Sequence, residues 1–481
     1  MNRASQIPST LAGGPIARGA AFSIRGVHFG SAATVSLRNG TVVTPVKVLA
    51  VQPERIEALM PDASPLGPST LVVTAEGRAS KPFSIEVAAS NPGVFSQNNL
   101  GWGPGRIENI DSLGKKALNS ATHPATPGQR VTMIVTGLGK SAPAIVVVGN
   151  RTANAGVARA GAQPGEQEIS FAVPPDTPQG CYVPVYLQAS PNRASNVVTM
   201  TVQAAVKPGG CDSGPIPILE TKRIGMVIVS RTNMDENGKK TDKGEVAATF
   251  TLRDPGLSRS PLMMWPPPGT CTTYTSALQW TTNPPISLSA SLSGELGGEG
   301  LAAGPQVVVG RDNRRRSIPW DPGSVGYYHA KVPLRFLNPG KFFLSGPGGI
   351  DVGRFRVTTE APGPFEWTDR DQTAIVNRTR SLPLHWRGQA AGRWTVVIAT
   401  NIDQTTTAIG TCLCTTPSNA THFEIPAALL ANIPASSGVG YPYDRVFVVS
   451  IPAKATPIPA AGIGMGALFS IYANGRTVQF H

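Results

Sequence analysis

The sequence predicts an all-β chain of tandem immunoglobulin-like β-sandwich domains joined by short Pro/Gly linkers. Short segments of alternating polarity recur at intervals of roughly ten residues, which is the spacing of sandwich strands. Gly (52) and Pro (45) separate these segments and do not form tracts of their own. No stretch sustains the 3.6-residue apolar period of a long amphipathic helix, so helix is a minor component. The 481 residues exceed what one core can organise. At roughly 100–150 residues per domain, four units are expected: 7–89, 91–205, 216–360 and 362–481.

In the first unit, Ala20 to Gly26 alternates and closes on glycine, Val27 to Gly30 turns, and Thr34 to Leu37 leads into the hairpin signal Arg38-Asn39-Gly40. Strands are expected at 45–49, 55–60, 69–74 and 83–87. The second unit repeats this plan at a separation of roughly 110 to 115 residues, the mark of a duplicated domain. Gln129 to Gly139 parallels the opening strand, Pro175-Asp176-Thr177-Pro178 parallels Pro61-Asp62-Ala63-Ser64-Pro65, and Arg193-Ala194-Ser195 parallels Arg78-Ala79-Ser80.

These motifs carry a resemblance. The glycine-turn strand followed by Pro-Asp and a closing strand resembles IPT/TIG immunoglobulin-like domains. Asn91-Pro92-Gly93-Val94-Phe95, Asn119 to Ala125, Thr136-Gly137-Leu138-Gly139 and Gly180-Cys181-Tyr182-Val183 look like the Solibacter-type uncharacterised C-terminal domain of acidobacterial secreted proteins. The resemblance covers about residues 10 to 205. It implies an exterior location, extracellular or cell-surface, and no established activity. A member of that family should carry a signal peptide, whereas Met1 to Gln6 lack the apolar h-region.

Val206 to Pro215 reads as a linker. The third unit opens with Ile224 to Ser230 and Val246 to Leu252, read as paired strands across a polar loop from Asn233 to Gly244, and closes with Gly340 to Gly346 and Gly353 to Val357. The fourth follows Ala361-Pro362-Gly363-Pro364, with strands at 382–386, 394–399, 422–425 and 445–450 and one helical turn over 427–433. No apolar run is long enough to span a membrane.

Lys plus Arg exceed Asp plus Glu by 13, so the surface attracts polyanions. The one tight basic cluster, Arg311, Arg314, Arg315 and Arg316, lies near Trp320, Tyr327 and Tyr328, the residue types that bind an acidic glycan or a single-stranded nucleic acid by charge and stacking. The plain alternative is a solvated basic loop beside core aromatics. Tyr441 and Tyr443 form a weaker aromatic pair. Asp235, Asn237, Asp242 and Glu245 gather oxygen ligands in one loop without EF-hand spacing, so calcium is weighed against a solvated hairpin tip. Among the five cysteines, Cys181 and Cys211 would staple the linker to the second unit. Cys271 would pair with Cys412 or Cys414, or those two with each other, and one thiol is left over.

No Gly-x-Ser-x-Gly elbow or His-Glu-x-x-His pair occurs, and no cofactor or specific nucleic acid is called for. The reading is a non-enzymatic secreted or cell-surface modular protein, a structural spacer, adhesion or interaction scaffold whose partners are other surface proteins or polyanionic glycans. Carbohydrate binding is the alternative. A glycoside-active enzyme with an unrecognised pair of carboxylates is a minor one.

Overall fold

The computed structural model describes residues 1–9, 11, 13–139, 145–190, 193–205, 210–215, 221–253, 264–277, 298–403, 408–436 and 444–481. The regular structure of the described residues is almost all β, and the segment Ala427–Leu430 is their one α-helical turn. Tyr441, Tyr443 and the linker core 206–209 lie outside the described residues.

Eight strands between Ile16 and Ala88 form the first sandwich. The strand Val42–Gln52 makes its corner: Val42 to Val46 pair with Ala33–Asn39, and Lys47 to Gln52 pair with Arg55–Leu59 past an irregularity at Val48. A strand that changes layers in this way closes a sandwich without a long loop. Phe22, Leu37, Ile56, Met60 and Leu71 fill the space between the layers.

The second sandwich packs a six-stranded sheet containing Arg130–Thr136 on a five-stranded sheet containing Gly180–Ser190. Met133, Val135, Phe171, Val183 and Leu187 are buried between them. Asn91 locks this unit to the first. Its Nδ2 donates to the carbonyls of Gly13 (2.7 Å) and Pro15, and its Oδ1 accepts from Arg193 (2.8 Å). Thr136 adds a second tie, accepting from the Ala21 amide at 3.0 Å and donating to the Gly165 carbonyl at 2.6 Å. The chain turns between them at Gly137, where φ is +77° and a Cβ would sit 2.6 Å from the Asn91 carbonyl oxygen. Only glycine fits there.

The rest of the chain is organised by one ten-stranded sheet. The strand Arg223–Glu236 pairs antiparallel with Lys239–Leu252 on one side. On the other it pairs in parallel with Met465–Thr477, from Ile224 opposite Met465 to Asp235 opposite Arg476. The segments 216–360 and 362–481, read from sequence as two sandwiches, therefore share this sheet and are fused edge to edge. The strand Thr270–Ala277 crosses the other way and pairs with Ala408–Thr415 at the far edge.

Side-chain alternation explains how so wide a sheet is buried. Along Arg223–Glu236, Val227 and Val229 point to one face, and Met226 and Ile228 to the other. The first face carries two separate covers. A four-stranded sheet of Gln306–Arg311, Arg314–Pro319, Gly340–Gly346 and Phe355–Ala361 lies over the Val227 end. A three-stranded sheet of Glu366–Trp367, Leu382–Arg387 and His422–Ile425 lies over the Val397 and Val448 end. The second cover also packs with Val147, Tyr186, Ala194 and Val197 of the second sandwich, so one apolar cluster welds the two halves of the molecule.

The expected polar loop Asn233 to Gly244 is strand almost throughout. Its turn is Asn237-Gly238, both left-handed at φ 55° and 88°, the Asn-Gly geometry that closes a two-residue hairpin. Its polar side chains are paired, Arg231 with Asp242 within the hairpin and Asn233, Asp235, Glu236 and Lys240 with Arg370, Arg476, Arg445 and Asp371 of neighbouring segments.

Candidate functional site

The four-stranded cover sheet brings the basic cluster to its edge. Arg314–Pro319 is an edge strand, and Arg314, Arg315 and Arg316 are exposed with no ion pair among the described residues. Arg316 lies opposite core-facing Val309, so its charge flanks the open edge, a position that discourages edge-to-edge pairing. Arg315 points to the outer face. Arg311 is not available to a ligand in this way, because its guanidinium is tied to the carbonyls of Asn338 and Pro339.

The aromatic residues do not gather around these arginines. Tyr328 is in the core at 1% exposure, edge-on to Phe250 at 6.0 Å, with its hydroxyl donating to the Gly304 carbonyl at 2.7 Å. Tyr327 points to the other face of the ten-stranded sheet, stacked on His329. Trp320 is 40% exposed, and its indole N–H donates to the Ser324 carbonyl.

The outer face of the same sheet carries one arginine–aromatic pair, Arg356 on Phe343. Arg315, Gly310 and Phe343 are directly opposite one another across three strands. The Phe343 ring covers Gly310, and the Arg356 guanidinium stacks on that ring at 3.7 Å. The outer face thus presents Arg315 and Arg356, the latter covering the buried Phe343 ring (8% exposed), with Arg354 alternating in phase with Arg356. The alternation of Arg354-Phe355-Arg356-Val357 held this signal. Gly310→Val should destabilise the chain by about 1–3 kcal/mol, because a Cβ would sit 2.0 Å from the Phe343 ring and push it off the sheet. Thermal melting checks this, and an unchanged Tm would mean that the ring is free to move.

The four oxygen-bearing residues weighed for calcium do not converge. Asp235 is 2% exposed, accepts from the Gly238 amide at 2.7 Å and faces Arg476 at 3.4 Å. Asp242 is paired with Arg231 at 2.6 Å. Asn237 forms the turn, and Glu245 sits opposite Ser230 far down the ladder. Arginines hold the two aspartates that an ion would need.

Cys181–Cys211 is a disulfide that staples the linker, reinforced by the Cys181 amide donating to the Asp212 carbonyl. Cys271 pairs with Cys414, directly opposite across the ladder. Cys412 is the free thiol, its Sγ 3.8 Å from that of Cys414. Among the described residues, these three sulfurs are the one group of three or more close metal-capable side chains. Two are consumed by the bridge, and burial pushes the Cys412 thiol far up, leaving it protonated and inert.

Two concavities lie among the described residues. A cleft of about 680 Å³ opens in the first sandwich between apolar walls of Phe22, Phe29, Leu71 and Ile85, with Arg25 and Lys81 at its rim. A more polar one of about 720 Å³ lies between the second sandwich and the last cover sheet, lined by Tyr186, Gln188, Arg380 and Glu424.

No family model and no curated protein matches the chain. Among solved structures, it is similar to SGBP-B of the Bacteroides ovatus mixed-linkage glucan utilization locus, in complex with a mixed-linkage heptasaccharide. Identity is 15% over 39% of this chain and 45% of that one, at a TM-score of 0.22. The chain thus spans less than half of that protein. A Ca2+-stabilized ice-binding adhesin of an Antarctic bacterium is similar at 12% identity over 98% of both chains, TM-score 0.14. SGBP-B from a Bacteroides uniformis xyloglucan utilization locus is similar at 12% identity over 67% of this chain and 84% of that one, TM-score 0.17. At TM-scores this low, function is argued from the chain's own geometry.

Proposed function

We propose that the chain is a non-enzymatic modular protein of the cell exterior, a stiff scaffold that holds β-sandwich modules in fixed relative positions and offers its surface to other macromolecules. One observation carries the reading: the junctions between modules are buried and hydrogen-bonded. Asn91 and Thr136 lock the first two units. Asn432 Nδ2 donating to the Ser195 carbonyl and the shared apolar cluster lock the second unit to the last, and the Cys181–Cys211 staple holds the linker to the second unit. The parallel strand pair fuses the remainder. Linked modules with little buried surface between them move independently, and these do not meet that condition. The two disulfides suit an oxidising compartment.

Small-angle X-ray scattering of the full chain tests the reading. The expected curve is that of one rigid body, unchanged between about 0.01 M and about 0.15 M salt. A broad distance distribution from swinging modules would sink it.

A second reading, binding of acidic polysaccharide, is favoured by the exposed edge-strand arginines Arg314, Arg315 and Arg316, which have no ion pair among the described residues. On this reading the Arg314→Ala, Arg315→Ala, Arg316→Ala triple variant binds immobilised alginate roughly tenfold more weakly, from three exposed contacts of about 0.5 kcal/mol each. Retention equal to wild type, or equal retention on a neutral glucan, would remove it.

A further inference from the structure

We propose that His385 and His422 form a two-imidazole site for a divalent transition metal, Zn2+ or Cu2+, on the solvent face of the three-stranded cover sheet. The strand Leu382–Arg387 alternates strictly: Leu382, Leu384 and Trp386 are buried, while Pro383, His385 and Arg387 face water. The strand His422–Ile425 runs antiparallel beside it and sets His422 directly opposite His385. Their ring centroids are 5.8 Å apart with planes inclined by 23°. Two imidazole nitrogens at about 2.0–2.1 Å from one tetrahedral ion put the ring centroids roughly 5 Å apart, so a small rotation of the side chains suffices.

A third residue prepares the site. Asp369 Oδ2 lies 2.8 Å from His385 Nδ1, and Oδ1 accepts from the His385 amide (3.0 Å) and the Trp367 indole N–H (2.7 Å). Three contacts fix this carboxylate in place. With Nδ1–H donating to it, the lone pair of His385 is on Nε2, the nitrogen left for an ion; a carboxylate behind a ligating histidine also raises its basicity. His422 has no polar partner among the described residues. The strand bearing it is held by the Trp386 amide donating to the Thr421 carbonyl at 2.8 Å, with Trp386 2% exposed beneath. Both rings are therefore exposed on rigid, buried supports. The neighbouring Arg387 is neutralised by Glu366 at 2.6 Å, so its charge does not oppose a cation.

The donor chemistry selects the ion. Imidazole nitrogen suits Zn2+ and Cu2+, and the remaining coordination positions open to water; Ca2+ takes six to eight oxygen ligands, and the nearby carboxylates Asp369 and Glu366 are already engaged by His385 with Trp367 and by Arg387. The site is separate from the buried sulfur trio.

Calorimetric titration of untagged full chain with ZnCl2 and CuCl2, without reductant so that the disulfides persist, tests the proposal. One saturable equivalent is expected, tighter for Cu2+. His385→Ala or His422→Ala should abolish it, and Asp369→Asn, which keeps an acceptor for Trp367, should weaken it about 10- to 100-fold. The Cu2+ complex should show two-nitrogen hyperfine structure by electron paramagnetic resonance. Saturation left intact by His422→Ala, a one-nitrogen spectrum, or no saturation in the wild-type chain would overturn it. His123→Ala, an exposed histidine in the second sandwich, should leave the titration unchanged; loss there would identify binding at scattered surface histidines and reject the site.

Discussion

Asn91→Ala is expected to lower stability by about 3 kcal/mol and to loosen the first sandwich from the second. The side chain is 5% exposed and satisfies three groups at once: the Gly13 and Pro15 carbonyls and the Arg193 guanidinium. Removing it strands all three, and each buried polar group left without a partner costs about 1–3 kcal/mol, with the lower figure apt for those partly reached by water. Asn91→Asp keeps the size but cannot donate to the carbonyls, so it should be at least as damaging. Urea unfolding measures the loss, and scattering should show a wider spread of distances for both variants. If Asn91→Ala stays within about 0.5 kcal/mol of wild type, the hinge is held by packing alone and the hub is dispensable.

Removing the Cys271–Cys414 bridge should cost more than removing Cys181–Cys211. The first closes a loop of 143 residues and the second one of 30. Loop-closure entropy then assigns about 5 kcal/mol to the first and about 3.6 kcal/mol to the second, before any effect on the native state. Paired alanine substitutions avoid leaving a lone reactive thiol. The Cys271→Ala, Cys414→Ala chain should also release the edge strand Thr270–Ala277, seen as faster hydrogen exchange there than in the neighbouring Ala408–Thr415, which keeps its other ladder partner Arg393–Asp403. A larger loss from the Cys181 and Cys211 pair would show that the linker staple, not loop length, dominates.

Ile107–Ile110 and Ile145–Val148 escaped the sequence reading, whereas several other strands of the first two sandwiches were legible because each closes on a glycine turn. Ala21–Arg25 and Arg130–Thr136 are examples, found where the pattern places them. The fused sheet was not legible. Ile224 to Val229 is apolar on both faces, and such a run says that a strand is buried without saying which strand lies beside it. Its partner, Met465–Thr477, is far away in sequence and parallel, so no turn signal links them. The polar stretch Asn233 to Gly244 misled for the opposite reason, since Arg231 and Asp242 satisfy each other across a strand ladder that composition alone reads as loop. In the basic cluster the arginines were found, but the arginine that stacks on an aromatic, Arg356, lies outside it. Tyr327 and Tyr328 are near in sequence yet point away, whereas Phe343 reaches Arg356 and the Gly310 surface only through sheet register. The His385–Asp369–His422 group depends on register in the same way.

The parallel pairing of Arg223–Glu236 with Met465–Thr477 sets an order of assembly. The two strands are about 240 residues apart, and until the second has emerged the first has an unpaired edge along its whole length. The first two sandwiches contain only strands from their own stretches of sequence, so they can fold as the chain emerges. The last two segments must instead wait in a partly open state, with the Ile224 and Met226 edge uncovered. A chain truncated just before Met465 would expose that edge permanently. Its fate should therefore be aggregation or proteolysis, not a shorter functional scaffold.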